Sequence, residues 1–173
     1  YDLTALLRST IINIQAGRSK QGASTITQQL AKNAFLTQER TITRKLKEAF
    51  LSYALESKYT KEEILCMYLN RIYFGQGAYG LESASHYYFN KATKDLTLAQ
   101  AASLAAIPKS PNYFNPFANP KDSKARQELV LDQMVKYGFI KEADCATAKQ
   151  ADLGLAKSNE KIDASPSSYF YDM

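Results

Sequence analysis

The chain is poor in histidine and cysteine, and both shortages exclude chemistry. His86 is the sole histidine among 173 residues, which rules out a histidine-dependent catalytic triad and any multi-histidine metal centre. Cys66 and Cys145 are too few for a disulfide scaffold or a structural zinc site, and nothing in their spacing requires them to pair. No stretch approaches the ~20 apolar residues that span a bilayer, and none resembles a signal peptide. The residues read as soluble or peripheral. Internal repeats, heptad arrays and low-complexity tracts are missing too. Acids are scarce in one place: between Arg18 and Lys47 the bases Arg18, Lys20, Lys32, Arg40, Arg44, Lys45 and Lys47 meet only Glu39. That local excess is larger than the chain's whole net charge of +5, so the cationic character is concentrated there. It suits an acidic partner: phosphates, an anionic membrane surface or nucleic acid.

What is present is globular. Hydrophobic residues make up 45% and charged ones 23%, over a length that can bury a core. The pattern is mainly helical. A first helix is predicted after Asp2, with Leu3, Leu6, Leu7, Ile11 and Ile14 at helical spacing and Gly17 as its C-terminal cap. A polar turn, Arg18 to Gly22, leads to a second helix that opens around Ser24 and Thr25. A long helix is predicted from about Gln38 to Ser57, with Ile42, Leu46, Ala49, Phe50 and Tyr53 as its buried stripe. Thr60 with Glu63 forms a capping box for a helix that buries Ile64, Leu65, Tyr68 and Leu69, and Thr97 with Gln100 repeats the signature before Ala99 to Ile107. Asn119-Pro120 reads as an N-cap and first helical residue of a helix ending near Gly138, and a last helix covers about Lys141 to Ala151. Two loops interrupt the helices: a glycine-bearing turn at Phe74 to Gly80, and Pro108 to Pro120, stiffened by four prolines. The tail from Lys157 to Ser168 is polar, and Tyr169-Phe170-Tyr171 reads as the start of a strand. Tyr73, Phe74, Tyr87, Tyr88 and Phe89 read as core rather than a sugar-stacking platform, and His86 as a helix residue without a catalytic role.

On the long helix Arg40, Arg44 and Glu48 recur every four residues, with Lys47 beside them. At about 100° per residue they share the face opposite the apolar stripe, predicted to turn away from this helix's core. As a solvated face it would carry little energy, roughly 0.2–0.5 kcal/mol for the Arg44–Glu48 pair. As a functional face it is a phosphate-binding surface with one acid placed for proton transfer or charge stabilisation. The preceding segment favours the second reading. Ser24, Thr25, Gln28 and Gln29 fall before and within a first helical turn, where free N–H groups and the helix dipole attract anions. Lys32 and Asn33 extend that polar surface by another turn, although one of Ser24 and Thr25 is needed as a plain N-cap.

The stretch Gly22-Ala23-Ser24-Thr25-Ile26-Thr27-Gln28-Gln29-Leu30-Ala31-Lys32-Asn33 resembles the second signature motif of the peptidoglycan glycosyltransferases, glycosyltransferase family 51. Arg44-Lys45-Leu46-Lys47-Glu48 is similar to that family's Arg-Lys-x-x-Glu motif. Tyr68-Leu69-Asn70, Phe74 to Gly80 and Ala84-Ser85 resemble the fourth motif, and Leu104 to Pro108 with Pro111 and Tyr113 to Pro116 the fifth. The order is kept over nearly the whole chain. Tyr169-Phe170-Tyr171-Asp172 is similar to the linker after this module in class A penicillin-binding proteins.

The resemblance implies a lysozyme-like helical domain over residues 1–156, with a smaller, mobile, membrane-proximal subdomain, followed by a polar tail and linker over 157–173. It implies polymerisation of lipid II into β-1,4-linked glycan strands, with release of undecaprenyl diphosphate, on the outer face of the bacterial cytoplasmic membrane. Glu48 matches the family's second glutamate, assigned to leaving-group departure, with a divalent cation (Mg or Mn) as a candidate cofactor at the diphosphate. Ser24, Thr25, Gln28, Gln29, Lys32, Asn33, Arg40, Arg44 and Lys45 match positions that hold phosphate and sugars. Phe35 and Leu36, flanked by Lys32 and Arg40, form a candidate membrane-interface patch. The implied partners are lipid II, the growing strand, an anionic membrane surface, a downstream transpeptidase domain and the cell-wall synthesis machinery, and not nucleic acid.

The chain departs from the family pattern at its start. The first motif, Glu-Asp-x-x-Phe, normally lies just upstream of Tyr1 and carries the general base, so the chain is expected to begin inside the module. Cys66 stands where the family often has an acid, and Gln100 where glutamate is common. Two other readings therefore stay open: a lysozyme-like glycan-cleaving enzyme, which leaves the cation cluster unexplained, and a non-catalytic module binding lipid diphosphate or glycan.

Overall fold

The computed structural model describes residues 24–35 and 41–156. The helix expected after Asp2, the turn at Arg18 to Gly22, Leu36, Arg40, the polar tail and Tyr169 to Tyr171 lie outside the described residues. Those described form helices joined by turns, with a single isolated β-bridge and no strand among them, in keeping with the mainly helical class. The chain divides into two compact units, Tyr1–Ile64 and Leu65–Met173.

In the first unit α1 spans Ile26–Phe35 and α2 spans Ile42–Lys58, and the two pack together. Thr25 opens α1. Its hydroxyl accepts from Gln28 N at 3.1 Å while Gln28 Oε1 accepts from Thr25 N at 3.3 Å, a reciprocal cap. Thr41 caps α2 by accepting from Arg44 N at 3.1 Å. The expected burial of α2 is reversed. Ile42, Leu46, Phe50 and Tyr53 are between 62% and 72% exposed, whereas Glu48 and Ser52 are buried. The polar face of α2 is the packed one because α1 offers it polar and small residues: Thr27, Gln28 and Ala31 are buried as well. The helix that follows, α3 (Lys61–Leu69), opens on the expected Thr60–Glu63 box: Thr60 N donates to Glu63 Oε2 at 2.8 Å, and Glu63 N to Thr60 Oγ1 at 3.2 Å. Ile64 and Tyr68 are buried on it, Leu69 is half-buried, and Leu65, expected inside, is exposed.

The second unit has large apolar side chains in its interior, together with buried Gln100, Asn115 and Gln127. After α3 the chain turns back through a bridge between Tyr73 and Tyr79, with Phe74 N donating to Ala78 O and Gly80 N to Ile72 O, both at 2.9 Å. Gly80 leads into α4 (Leu81–Phe89), from which Tyr88 is fully buried and donates its hydroxyl to Phe74 O at 2.8 Å. Phe74 and Phe89 are buried as well, while Tyr73 and Tyr87 are half-buried, so the aromatic group is mostly core. The Thr97–Gln100 box opens α5 (Leu98–Ala106), and Gln100 Nε2 also donates to Leu153 O at 2.8 Å. Next come α6 (Pro120–Lys136) and α7 (Glu142–Gln150), close to the expected bounds. Asn119 holds the N-cap position of α6 without capping it; its Nδ2 instead donates to Tyr113 O at 3.0 Å, tying down the proline-rich loop. Ala99, Ala102, Leu131, Cys145 and Ala148 form the core of α5, α6 and α7. Cys145 is therefore a buried free thiol and Cys66 an exposed one.

Candidate active site

The first turn of α1 and the packed face of α2 build one polar cluster. Glu48 is only 2% exposed, and its Oε1 accepts from Lys45 Nζ at 2.5 Å. Arg44 Nη1 stands 3.7 Å from Glu48 Oε2, an ion pair beyond hydrogen-bond length. Lys45 also donates to Ser24 Oγ at 3.1 Å, so one ammonium ties the segment before α1 to the glutamate of α2. Two cations against one carboxylate leave a positive charge over. Arg44 Nε is shielded from solvent and has no hydrogen-bond partner among the described residues. The cluster thus holds a spare donor and a spare charge, the requirements for gripping an anion.

Helical spacing explains the convergence. Arg44 and Glu48 are one turn apart, Lys45 lies three residues before Glu48, and Ser52 follows one turn later, its hydroxyl donating back to Glu48 O at 2.7 Å. A carboxylate buried without partners would be strongly destabilising, and here a lysine and an arginine supply them.

The other predicted residues divide. Ser24 is half-buried within the cluster, and Gln29 reaches back to Ser24 O at 3.4 Å. Thr25 and Gln28 are turned on each other as the cap of α1. Lys32 is half-buried and Asn33 exposed, one turn further along α1. Arg40 lies outside the described residues. Lys47 is exposed beside Leu46 and Phe50, not in the cluster. Sequence reasoning missed three residues that the structure adds: Ser52, Thr27, and Glu56, whose Oε1 accepts from Thr27 Oγ1 at 2.7 Å. Ser52 and Glu56 share a helical face with Glu48, four residues apart in turn, but nothing local pairs Thr27 with Glu56.

As a metal centre the cluster does not fit. It offers a single carboxylate already engaged by two cations, and no group of three metal-ligating side chains occurs among the described residues. His86 belongs to the second unit, where its Nε2 meets Glu82 Oε1 at 3.1 Å. No helix among the described residues is long and apolar enough to cross a membrane.

Comparison with known proteins agrees with the motifs. The transglycosylase family model matches residues 1–135. Penicillin-binding protein 1F of Bacillus subtilis is 47% identical over 89% of the chain, and penicillin-binding protein 1A of Aquifex aeolicus 47% identical over 99%. The chain spans 22% and 23% of those two proteins, less than a quarter of their length. The crystal structure of penicillin-binding protein 1A from Haemophilus influenzae superposes with a TM-score of 0.50 over 74% of this chain and 17% of that one, at 28% identity. On these grounds the chain belongs to the transglycosylase family, the peptidoglycan glycosyltransferases of class A penicillin-binding proteins.

Proposed function

We propose that this chain belongs to an enzyme that polymerises lipid II into glycan strands, and that the cluster around Glu48 receives the donor's diphosphate. The observation that carries the reading is a buried glutamate bracketed by Lys45 and Arg44, with a spare charge and an unpartnered guanidinium donor. A departing diphosphate concentrates negative charge, and donors fixed beforehand stabilise that charge more in the transition state than in the ground state. Arg44 and Lys45 are such donors. Glu48 orients both and assists departure of the leaving group. Ser24 and, on α1, Gln29, Lys32 and Asn33 adjoin the cluster, suited to the sugars of the strand; Arg40 is assigned to the phosphates by its family position and its place four residues before Arg44.

Inversion at the sugar requires a base to take the proton of the acceptor hydroxyl from the opposite side. In this reading the base is the glutamate of the family's first motif, a residue this chain does not contain. The exposed Phe35, 63% accessible and three residues from Lys32, supports contact with an anionic membrane surface on the outer face of the cytoplasmic membrane. Residues 1–156 form the module in this reading, with 157–173 leading to a transpeptidase domain and to the wall-synthesis machinery.

The test is incubation of lipid II with the full-length protein, including whatever its gene encodes before Tyr1. Glycan polymer with released undecaprenyl diphosphate is expected. Cleavage of finished glycan, or binding of lipid II without turnover, would overturn the proposal in favour of a hydrolase or a binding module.

A further inference from the structure

Thr27 is buried at 7% exposure and donates its hydroxyl to Glu56 Oε1 at 2.7 Å, across 29 residues of sequence. Glu56 is itself exposed, on the same face of α2 as Glu48 and Ser52. An exposed carboxylate is well solvated and needs no protein partner, so this contact matters chiefly to α1.

The spacing shows how. Lys45 and Glu56 are separated by about 16 Å along the axis of α2, at ~1.5 Å per residue. The residues they hold, Ser24 and Thr27, are three apart at the start of α1. Helical side chains lean toward the N-terminus, which carries Glu56 back toward Glu48, while Lys45 reaches forward to it. The two side chains therefore converge on the first turn of α1 from opposite directions. One of these tethers, Lys45, is shared with Glu48. The other, Thr27–Glu56, is independent of it.

Resting on the glycosyltransferase reading above, we propose that Thr27 and Glu56 are a positioning pair: their hydrogen bond fixes the first turn of α1 over Glu48, so that the strand-binding groups of α1 keep their register with the leaving-group cluster. Without it the first turn of α1 loses one side-chain tether to α2, and its register rests on packing and on the Ser24–Lys45 contact. Small misplacements of this kind cost up to about 100-fold in rate.

The test is a double-mutant cycle in the full-length protein, read as kcat/KM for lipid II together with the melting temperature. Thr27→Val and Glu56→Leu are each expected to lower kcat/KM about tenfold. Combined, they should lower it no further than either alone, because they remove the same bond. Thr27→Ser and Glu56→Gln, which keep donor and acceptor, should restore most of the loss. Wild-type kcat/KM in Thr27→Val and Glu56→Leu overturns the proposal, as do additive losses or losses that follow the melting temperature variant by variant. Glu56 is exposed, so its arm of the cycle stands even where Thr27→Val fails to fold. Glu48→Gln run in parallel separates the two readings. If it polymerises normally, the proposed site fails; if it is inactive while the pair is indifferent, only the positioning role fails.

Discussion

The two units of the chain bury different things. In the second unit the fully buried large side chains include Tyr88, Phe74, Leu104, Ile107 and Leu131, the interior expected of a stable helical domain. In the first unit the buried positions of α1 and α2 include Thr27, Gln28, Glu48 and Ser52, while four large apolar residues of α2 lie on the outside. Burial of apolar area is the main favourable term in folding, so α1 and α2 give up stabilisation to hold polar groups in fixed positions. If the proposed site is right, substitutions in α1 and α2 should affect activity more than stability and those in the second unit's core the reverse.

The largest effect is expected at Glu48. Glu48→Gln keeps the size and one acceptor oxygen but removes the charge, and polymerisation should fall by at least about 100-fold. A single-turnover assay on lipid II checks this; a rate within a few-fold of wild type would remove Glu48 from its role. Its counterpart in the second unit is Leu131, fully buried among Ala99, Ala102, Cys145 and Ala148. Leu131→Ala should cost about 2–5 kcal/mol of stability through lost transfer energy and an unfilled cavity. Activity per folded molecule should be retained. Denaturant unfolding with activity measured at matched folded fraction tests both, and a catalytic loss beyond the unfolded fraction would blur the division between the units.

How far the sequence foretells this division depends on the kind of signal. The caps were legible because they are local: Thr60–Glu63, Thr97–Gln100 and the Asn119-Pro120 start all mark helix ends where the structure has them. The Arg44–Glu48 pair was legible from spacing, but Lys45 only from the motif, since spacing put Lys47 beside Glu48 and the structure leaves Lys47 exposed. The orientation of α2 was not. Apolar periodicity normally points a helix's stripe inward, and by that rule Ile42, Leu46, Phe50 and Tyr53 should be covered. The rule fails because the face that packs was chosen by hydrogen-bonding partners on α1, a tertiary fact that no single helix carries. The same reason hid Thr27 and Glu56, which are 29 residues apart and meet only after folding. Asn119 shows the complement: its position is local, but the destination of its side chain, Tyr113 O, depends on the loop's path.

The turn between the bridged tyrosines offers an intermediate effect. Gly80 has φ +84°, and a Cβ there would sit 2.8 Å from Asn70 O, a backbone atom that cannot swing away. Gly77 has φ +79° but open space around it. Gly77→Ala should therefore cost only the left-handed backbone penalty, about 1–2 kcal/mol. Gly80→Ala adds the collision and should destabilise more. Both fall in the second unit, so the comparison predicts lower melting temperatures with little change in activity per folded molecule. Equal losses for the two would mean that backbone conformation alone sets the cost.

The smallest effect concerns acid. Glu82 on α4 accepts from Thr93 Oγ1 at 2.5 Å and from Thr93 N at 3.1 Å, linking the helix to the turn at Thr93–Asp95. The Thr93 hydroxyl is the main cause that holds the carboxyl below its ordinary value near 4.5; burial opposes it, and the Thr93 N–H and the neighbouring His86 add smaller lowering effects. A carboxyl lowered in the folded state binds its proton more readily when unfolded, so its stabilisation is complete above the ordinary value and lost as pH falls through the folded one. Glu82 is about half exposed, with a side-chain accessibility of 45%, so solvent screening keeps the contribution small. The stability advantage of wild type over Glu82→Gln should therefore be present above the ordinary carboxylate value near 4.5 and fade as the pH falls through the lowered folded one. Urea midpoints measured across that range decide it. Parallel curves would show that the Thr93 contacts favour the neutral carboxyl as much as the charged one, leaving the second unit's stability to its apolar core.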